Sequence, residues 1–521
     1  MRGKFNHAGK TTVRLSVQKL TSQAAPADLL LELAKLPQPV LLESAAQHPN
    51  WGRYSLAGCC PLEVISLQDG RLVDSAGEQW AYSNERSPDL PADKNLWAAL
   101  DQAMSAVVPH NPPPKELPYL PGWIGYIGYG LNRYIDRLPG KAVGDICIPD
   151  LRLGFYDAIL IYDHLERSWS LVELLDNGTG FTPGPAAAML REALSGSAVA
   201  DQPKDACELP PPDQFDPLLS ARSNLSPERY MGIVQRCLDY ISAGDIFQAN
   251  LSQRFTIDGI DDHLAAYRAL RRCNPAWYSA YLPFDWAGRR YTVLSTSPEL
   301  FLRCRNGVVT TRPIKGTLRR EGDDDQSGRQ LLSSVKDNAE LAMIVDLLRN
   351  DLGRVCRFGT VRVPQPKCLE IHPSVYHLVA TVVGTLRPGV GPAELLRATF
   401  PGGSITGAPK IRAMEIIDEL EPQARGIYTG CIGIVGIDGR CEWNIAIRTV
   451  VCEESRAFVQ VGGGIVADSQ PQAEYNETID KARTILQALS QVKRADKITA
   501  RAGPSSRADG SDPLPTCNTK K

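Results

Sequence analysis

The sequence predicts an α+β fold, and three observations carry that expectation. Short runs of β-branched, aromatic and other apolar residues recur between Gly-, Pro- and Ser-containing turns, among them residues 40–42, 53–56, 62–67, 157–162, 169–174, 292–294 and 307–311. Such runs read as strands. Residues 227–243, residues 334–354 and a stretch beginning near residue 472 instead place apolar side chains at helical spacing. Residues 122–129, Gly-Trp-Ile-Gly-Tyr-Ile-Gly-Tyr, alternate small with bulky side chains. Glycine at that density is expected where backbones pack closely, and the spacing matches neither a dinucleotide fingerprint nor a P-loop.

The chain has 521 residues, 43% of them hydrophobic and 22% charged, with a formal net charge of −2. This composition suits a soluble protein with a large core. No basic field is available for nucleic acid or a membrane surface, and no apolar run approaches the roughly 18 residues that span a bilayer. Thirteen cysteines are scattered without a C-x-x-C pair, so reduced thiols in a cytoplasmic protein are expected rather than a disulfide framework or a zinc site.

Taken in order, the first 27 residues hold Arg2, Lys4, Lys10, Arg14 and Lys19 and no acid. They faintly resemble a transit peptide and read as a short disordered arm, set at residues 1–14. Residues 15–195 form a β-rich first region. It opens with a helix over residues 27–36 stopped by Pro37. A buried strand at Val40, Leu41 and Leu42 follows, leading into Glu43 and Ser44; residues 157–162 and 169–174 are expected to pair. Residues 196–222, with Pro210, Pro211 and Pro212, read as a linker. Residues 223–490 form the second region, and the basic residues 491–521 a disordered tail.

The chemistry concentrates in the second region. Residues 227–243 make an amphipathic helix with Met231, Val234, Cys237, Leu238 and Ile241 on one face, ended by Gly244. The following strand, residues 246–255, puts Gln248, Asn250, Ser252 and Arg254 on one face, toward either solvent or a polar cavity. In Arg312-Pro313-Ile314-Lys315-Gly316-Thr317 the proline is expected to end a strand. Lys315 then stands at a strand end, either as a turn lysine or as an amine that burial turns into a nucleophile. Glu299, in Ser297-Pro298-Glu299, is either a surface carboxylate or a general acid of raised pKa.

Glu340 lies one turn after Asp337, and Glu474, Glu477 and Lys481 share one helix face. Glu477 and Lys481 make either a surface i,i+4 pair or, with Glu340 opposite Glu477, a two-carboxylate Mg²⁺ site completed by water and substrate oxygens. The loop Gly402-Gly403-Ser404-Ile405-Thr406-Gly407-Ala408-Pro409-Lys410 leads into a helix through Leu420 and could hold an anion. It is not a Walker A loop, because Ala408 follows Gly407. Residues 444–451 read as a strand carrying Arg448, and Gly462, Gly463 and Gly464 either bend a strand or offer bare N–H groups to a carboxylate. The inventory implies a small polyanionic substrate bound through Mg²⁺. No fingerprint for NAD, ATP or pyridoxal phosphate is apparent.

Ser297-Pro298-Glu299, Ala339-Glu340, Asp346-Leu347, Arg349-Asn350-Asp351, Gly407-Ala408-Pro409-Lys410 and Glu477-Thr478 with Lys481 together resemble the chorismate-utilising enzymes. That family includes anthranilate synthase component I, isochorismate and salicylate synthases and aminodeoxychorismate synthase component I. The resemblance covers residues 225–488, and the first region, including Leu41-Leu42-Glu43-Ser44, is similar to the amino-terminal part shared by the anthranilate and aminodeoxychorismate members. It implies the family's fold, large antiparallel or mixed sheets packed together with helices outside.

Three features choose within the family. Lys315 matches the lysine of the aminodeoxychorismate motif, where anthranilate synthase has alanine. Gln248 stands where the isochorismate and salicylate enzymes carry a water-activating lysine. No cysteine sits in a G-x-C-x-G setting, so ammonia is expected from a separate glutamine amidotransferase subunit.

The resemblance implies amination of chorismate at C4 to 4-amino-4-deoxychorismate, on the route to 4-aminobenzoate and folate; anthranilate synthesis is the alternative. A catalytically dead chorismate-binding subunit is disfavoured by intact Lys315, Glu299, Glu340 and Glu477. By the same resemblance, Lys315 is the nucleophile, Glu299 the acid, His377 orients the departing oxygen, and Glu340 and Glu477 hold Mg²⁺. Gln248, Gly316, Thr317, Thr406, Tyr428, Arg448, Gly462, Gly463, Gly464 and Lys481 line the substrate site. Ser44, Trp277, Tyr278 and Ser279 match the tryptophan pocket of the anthranilate enzymes.

Overall fold

The computed structural model describes residues 10–68, 70–74, 92–198, 216–320, 326–372 and 375–501. Among them, two large sheets of 13 and 11 strands pack face to face, with helices on the outside. Nearly all ladders are antiparallel; Thr11–Leu20 with Val107–Pro109 is parallel. The architecture is the expected α+β one.

Each sheet draws strands from both sequence regions, about half from each in the larger and four of 11 from the first region in the smaller. In the larger sheet, Tyr278–Trp286 of the second region pairs with Val40–Glu43 of the first, Ser279 opposite Glu43. In the smaller, Cys431–Gly436 pairs with Gly122–Ile127, Gly433 opposite Gly125. A Cβ on Gly125 would fall 2.1 Å from Arg152 O, the close backbone approach that the glycine-dense run suggested.

Val40 and Leu42 pack into the core between the sheets, whereas Leu41 packs under the outer helices. Ile159 and Ile161 divide from Ala158 and Leu160 in the same way. Successive side chains point to opposite faces, and both faces are buried, which is why these strands read as unbroken apolar runs. The outer layer over the larger sheet comes from helices Pro26–Leu33, Ala186–Gly196, His263–Cys273 and Pro471–Arg501. Helices Pro227–Ser242 and Lys410–Leu420 bury a smaller cluster. Ser226 caps the first of these two, and Gly244 follows it at φ +85°.

Several boundaries differ from the sequence reading. Residues 11–14, placed in the arm, begin the strand Thr11–Leu20; residues 1–9 lie outside the described residues. Residues 199–215 of the expected linker also lie outside, while Pro217–Ser220 is a short helix and Arg222–Ser223 a strand. The final helix continues to Arg501, so residues 491–501 are helical where a tail was expected; residues 502–521 lie outside. Phe247 precedes its strand and is exposed, as is Val335 at the start of Val335–Gly353. Among the described residues ten cysteines are free thiols; Cys273 is disulfide-bonded, so the all-reduced expectation fails there.

Candidate active site

Lys315 lies inside the strand Ile314–Arg319 rather than at a strand end. Pro313 does end the preceding strand, Val308–Arg312, but the chain re-enters the sheet at once. The ladder to Val375–Thr385 slips by one residue between Lys315 and Thr317. Gly316 takes up the slip at φ +74°, a left-handed conformation that favours glycine, and a Cβ there would fall 2.9 Å from Asp337 Oδ1.

The amine is buried. Its Nζ lies 3.8 Å from Glu340 Oε2, with 12% of the Lys315 side chain exposed. Burial pushes its pKa down; Glu340, Glu299 and Glu477 pull it up and Lys481 pushes it down again, with burial prevailing. One lysine therefore feels four of the charged groups that the sequence singled out, Glu299, Glu340, Glu477 and Lys481.

Glu299 sits in the turn between Arg289–Ser297 and Leu300–Arg305 and is 4% exposed. Desolvation pushes its carboxyl up to about 7, although Ser404 Oγ donates to Oε1 at 2.6 Å and Lys315 opposes the shift. Ser404, read in the sequence as part of an anion loop, serves this carboxyl. Thr406 Oγ1 donates to Gly402 O at 2.9 Å, and Lys410 Nζ pairs with Asp351 Oδ2 at 2.6 Å.

Gly462, Gly463 and Gly464 make no bulge; they belong to the strand Arg456–Ile465, whose register beside Gln248–Asp258 is unbroken. What requires glycine is proximity. A Cβ on Gly464 would fall 3.2 Å from Lys315 Nζ and 3.0 Å from Gln248 Nε2, and one on Gly463 3.1 Å from Glu474 Oε2. Lys481 Nζ donates to Gly462 O at 2.9 Å and pairs with Glu477 Oε1 at 2.5 Å.

The polar face of Gln248–Asp258 meets a buried polar interior and not bulk solvent: Gln248, Asn250, Ser252 and Arg254 are all buried. Neither side-chain polar atom of Gln248 has a hydrogen-bond partner, nor does Asn250 Oδ1. Beneath them, Arg425 binds Asn250 O at 2.6 Å and Ile405 O at 3.1 Å and pairs with Glu421, while its guanidinium stacks near Tyr428. Sequence reading missed Arg425 and Glu421, whose i,i+4 spacing looks like any surface pair.

Glu340 and Glu477 come from the helices Val335–Gly353 and Pro471–Arg501. Burial raises the Glu340 pKa, and the nearby Glu477 adds to the rise. For Glu477, burial is outweighed by Lys481, Lys336 and Lys315, which hold its carboxyl below the ordinary range. Glu474 joins the acidic group, its pKa raised by burial and by Glu477. Among the described residues, no three acidic, thiol or imidazole groups converge to hold a metal alone. Two carboxylates fit a hard cation that takes most of its oxygens from water and substrate.

His377 is buried, with Nδ1 2.9 Å from Thr317 Oγ1. Burial, with Arg448 and His372 nearby, keeps its pKa well below the usual histidine value. Arg448 does not ride a continuous strand; it sits at φ +48° between Cys441–Asn444 and Thr449–Glu453, held by Asn274 Oδ1 at 3.0 Å.

Ser44, Trp277, Tyr278 and Ser279 line a separate cavity of about 40 Å³ at the seam between the two sequence regions. Ser44 Oγ lies 2.9 Å from Tyr54 O and 3.0 Å from Trp277 O. The space suits a few water molecules and is smaller than an indole ring needs.

The profile of the family described as chorismate binding enzyme matches residues 56–487. Aminodeoxychorismate synthase component 1 of Klebsiella aerogenes is 44% identical over 72% of this chain and 79% of its own length. The protein of that name from Escherichia coli K12 is 37% identical over 92% of this chain and its full length. Among solved structures, anthranilate synthase component I of Streptococcus pneumoniae aligns with a TM-score of 0.66 at 31% identity, covering 85% of this chain and 93% of that one. With its fold and its clustered lysine and carboxylates, the chain belongs to the chorismate binding enzyme family.

Proposed function

We propose that this chain converts chorismate and ammonia to 4-amino-4-deoxychorismate, as the large component of an aminodeoxychorismate synthase. The observation that carries the reading is Lys315: a buried amine of lowered pKa, 3.8 Å from Glu340 and within electrostatic reach of Glu299 and Glu477. Burial favours the neutral amine, which is the nucleophilic form.

In this reading Lys315 Nζ adds at C2 of the ring, the double bonds shift, and the C4–O bond breaks. Glu299, protonated near neutral pH, gives its proton to the departing hydroxyl, which leaves as water. Ammonia then adds at C4, the double bonds shift back, and the C2–N bond to Lys315 breaks. Thr317 holds His377, which orients the departing oxygen. Arg448, Tyr428 and the backbone of Gly462, Gly463 and Gly464 hold substrate carboxylates. Glu340 and Glu477 are the residues that would hold Mg²⁺; the bound ion supplies positive charge for a ring carboxylate.

We propose further that ammonia comes from a separate glutamine amidotransferase chain, as the component numbering of the relatives suggests, and that the protein is cytoplasmic. Among the described residues, no helix is long and apolar enough to cross a membrane. The alternative is an anthranilate synthase component I, favoured by the likeness to the Streptococcus pneumoniae protein; it would release pyruvate. Incubation with chorismate, Mg²⁺ and ammonium, with products separated by mass, distinguishes them. Aminodeoxychorismate without pyruvate is expected, and anthranilate with pyruvate would overturn the reading.

A further inference from the structure

His372 directly follows the strand Arg362–Ile371, its backbone N–H bonded at 2.9 Å to the carbonyl oxygen of Val375, the first residue of Val375–Thr385. Polar side chains just beyond a strand end ordinarily project into water, yet this imidazole is only 6% exposed. Its ring centroid lies 4.6 Å from that of Trp277, at 35°, and 4.9 Å from that of His377, at 72°. Three rings thus form a column from the seam cavity to the reaction centre. On its other side, His372 Nε2 is 3.8 Å from Glu370 Oε2, and the Glu370 carboxylate is itself tied to Arg312.

The His377 ring is tethered at Nδ1 to Thr317 Oγ1 and also meets the Gly316 backbone, while its Nε2 has no hydrogen-bond partner. Tethers to one neighbouring stretch of strand, Gly316 and Thr317, leave the Nε2 edge of the ring without a polar constraint. An edge-to-face contact between rings supplies the missing constraint, because such pairs have preferred geometry as well as area.

We propose that His372 is a positioning residue for the reaction, its ring holding the edge of His377 that Thr317 and Gly316 do not fix. This rests on the reading of His377 as the residue that orients the departing oxygen. The contribution lies in the aromatic face and not in the imidazole nitrogens, so phenylalanine should serve in its place.

The test is steady-state kinetics of the full chain with chorismate, Mg²⁺ and ammonium, for wild type, His372→Ala, His372→Phe and His377→Ala, alongside ¹⁵N spectra of the histidine rings. His372→Ala is expected to lower kcat about tenfold, as a small misplacement of a reacting-centre group does, with KM for chorismate changed less than about twofold. His372→Phe should keep kcat within about threefold of wild type. His377 should show one fixed neutral tautomer in wild type and in His372→Phe, and an exchange-averaged pair of signals in His372→Ala.

Wild-type kcat with an unchanged His377 spectrum in His372→Ala would overturn the proposal, and so would a phenylalanine variant as slow as the alanine one. Should His377→Ala prove fully active, the role given to His377 fails, while the spectra still decide whether His372 holds its ring. If His372→Ala does not fold, His372→Leu, which has bulk without an aromatic face, takes its place with the same expected loss.

Discussion

The seam cavity and the proposed reaction centre are both polar and largely buried, with Glu477 and Lys481 about half exposed at the rim of the second, but their polar groups are disposed differently. At the seam, Glu43 accepts from Tyr267 and Arg271, Ser44 reaches two carbonyls, and Asn444 accepts from Ile432 N and donates to Tyr278 O. Tyr278 OH is the exception. At the reaction centre, Gln248, Asn250 Oδ1 and His377 Nε2 lack partners, and neighbouring charges are held away from their ordinary ionisation. Satisfied burial stabilises a fold, whereas unsatisfied burial costs stability and is kept where chemistry needs it. The seam joins the first-region and second-region strands of each sheet; the centre lies wholly in the second region.

The sharpest way to break this contrast is at the carboxylates. Glu340→Gln and Glu477→Gln should each lower activity by about 10³-fold, several kcal/mol of lost charge stabilisation, with the fold intact by circular dichroism. Excess EDTA should do the same to wild type; full turnover in EDTA would remove the metal from the site.

Glu299→Gln should cost about 10² to 10⁴ in kcat, the range for a general acid. As an acid of pKa about 7, Glu299 should make the rate fall as pH rises through neutrality, and a flat alkaline limb would contradict that role. Stability should move the other way. The folded pKa is raised, so the native state binds this proton more tightly than the unfolded chain, and stability is lost as pH rises from the ordinary value toward 7. Above that pH, Glu299→Gln should therefore be more stable than wild type, by up to about 3 kcal/mol.

Lys315→Ala should keep chorismate binding and lose at least about tenfold in rate, because covalent catalysis divides one difficult displacement into two. Lys315→Arg should not rescue it, since a guanidinium stays protonated. A wild-type rate in Lys315→Ala would leave the lysine an electrostatic role only.

The smallest effect on activity is expected beside the seam. Tyr267→Phe removes the hydroxyl that donates to Glu43 Oε2 at 2.9 Å. It should cost roughly 1.5–3 kcal/mol of stability, as for a hydrogen bond to a charged group, with kcat unchanged. A fall in kcat would mean that the seam and the centre are coupled.

Local pattern alone made much of this legible. Val40, Leu41 and Leu42, the glycine-dense run at residues 122–129 and the helix ended by Gly244 could be placed because periodicity, glycine and proline act on the nearest few residues. The candidate residues Lys315, Glu299, Glu340 and Glu477 were legible because their short strings are distinctive. Tertiary structure decided which of the open readings held. Nothing near Gln248 in sequence says whether its strand face meets water; the answer lies in Gly464, about 216 positions away, and its backbone ladder. Lys315 read as a strand-end lysine, because the return of the chain into the sheet after Pro313 depends on Val375–Thr385 pairing. Arg425 and His372 were invisible as functional candidates, and Ser404 read only as part of an anion loop, for the same reason. Their importance is a matter of what burial places beside them, and burial is set by the packing of distant segments, not by any residue's immediate neighbours in the chain.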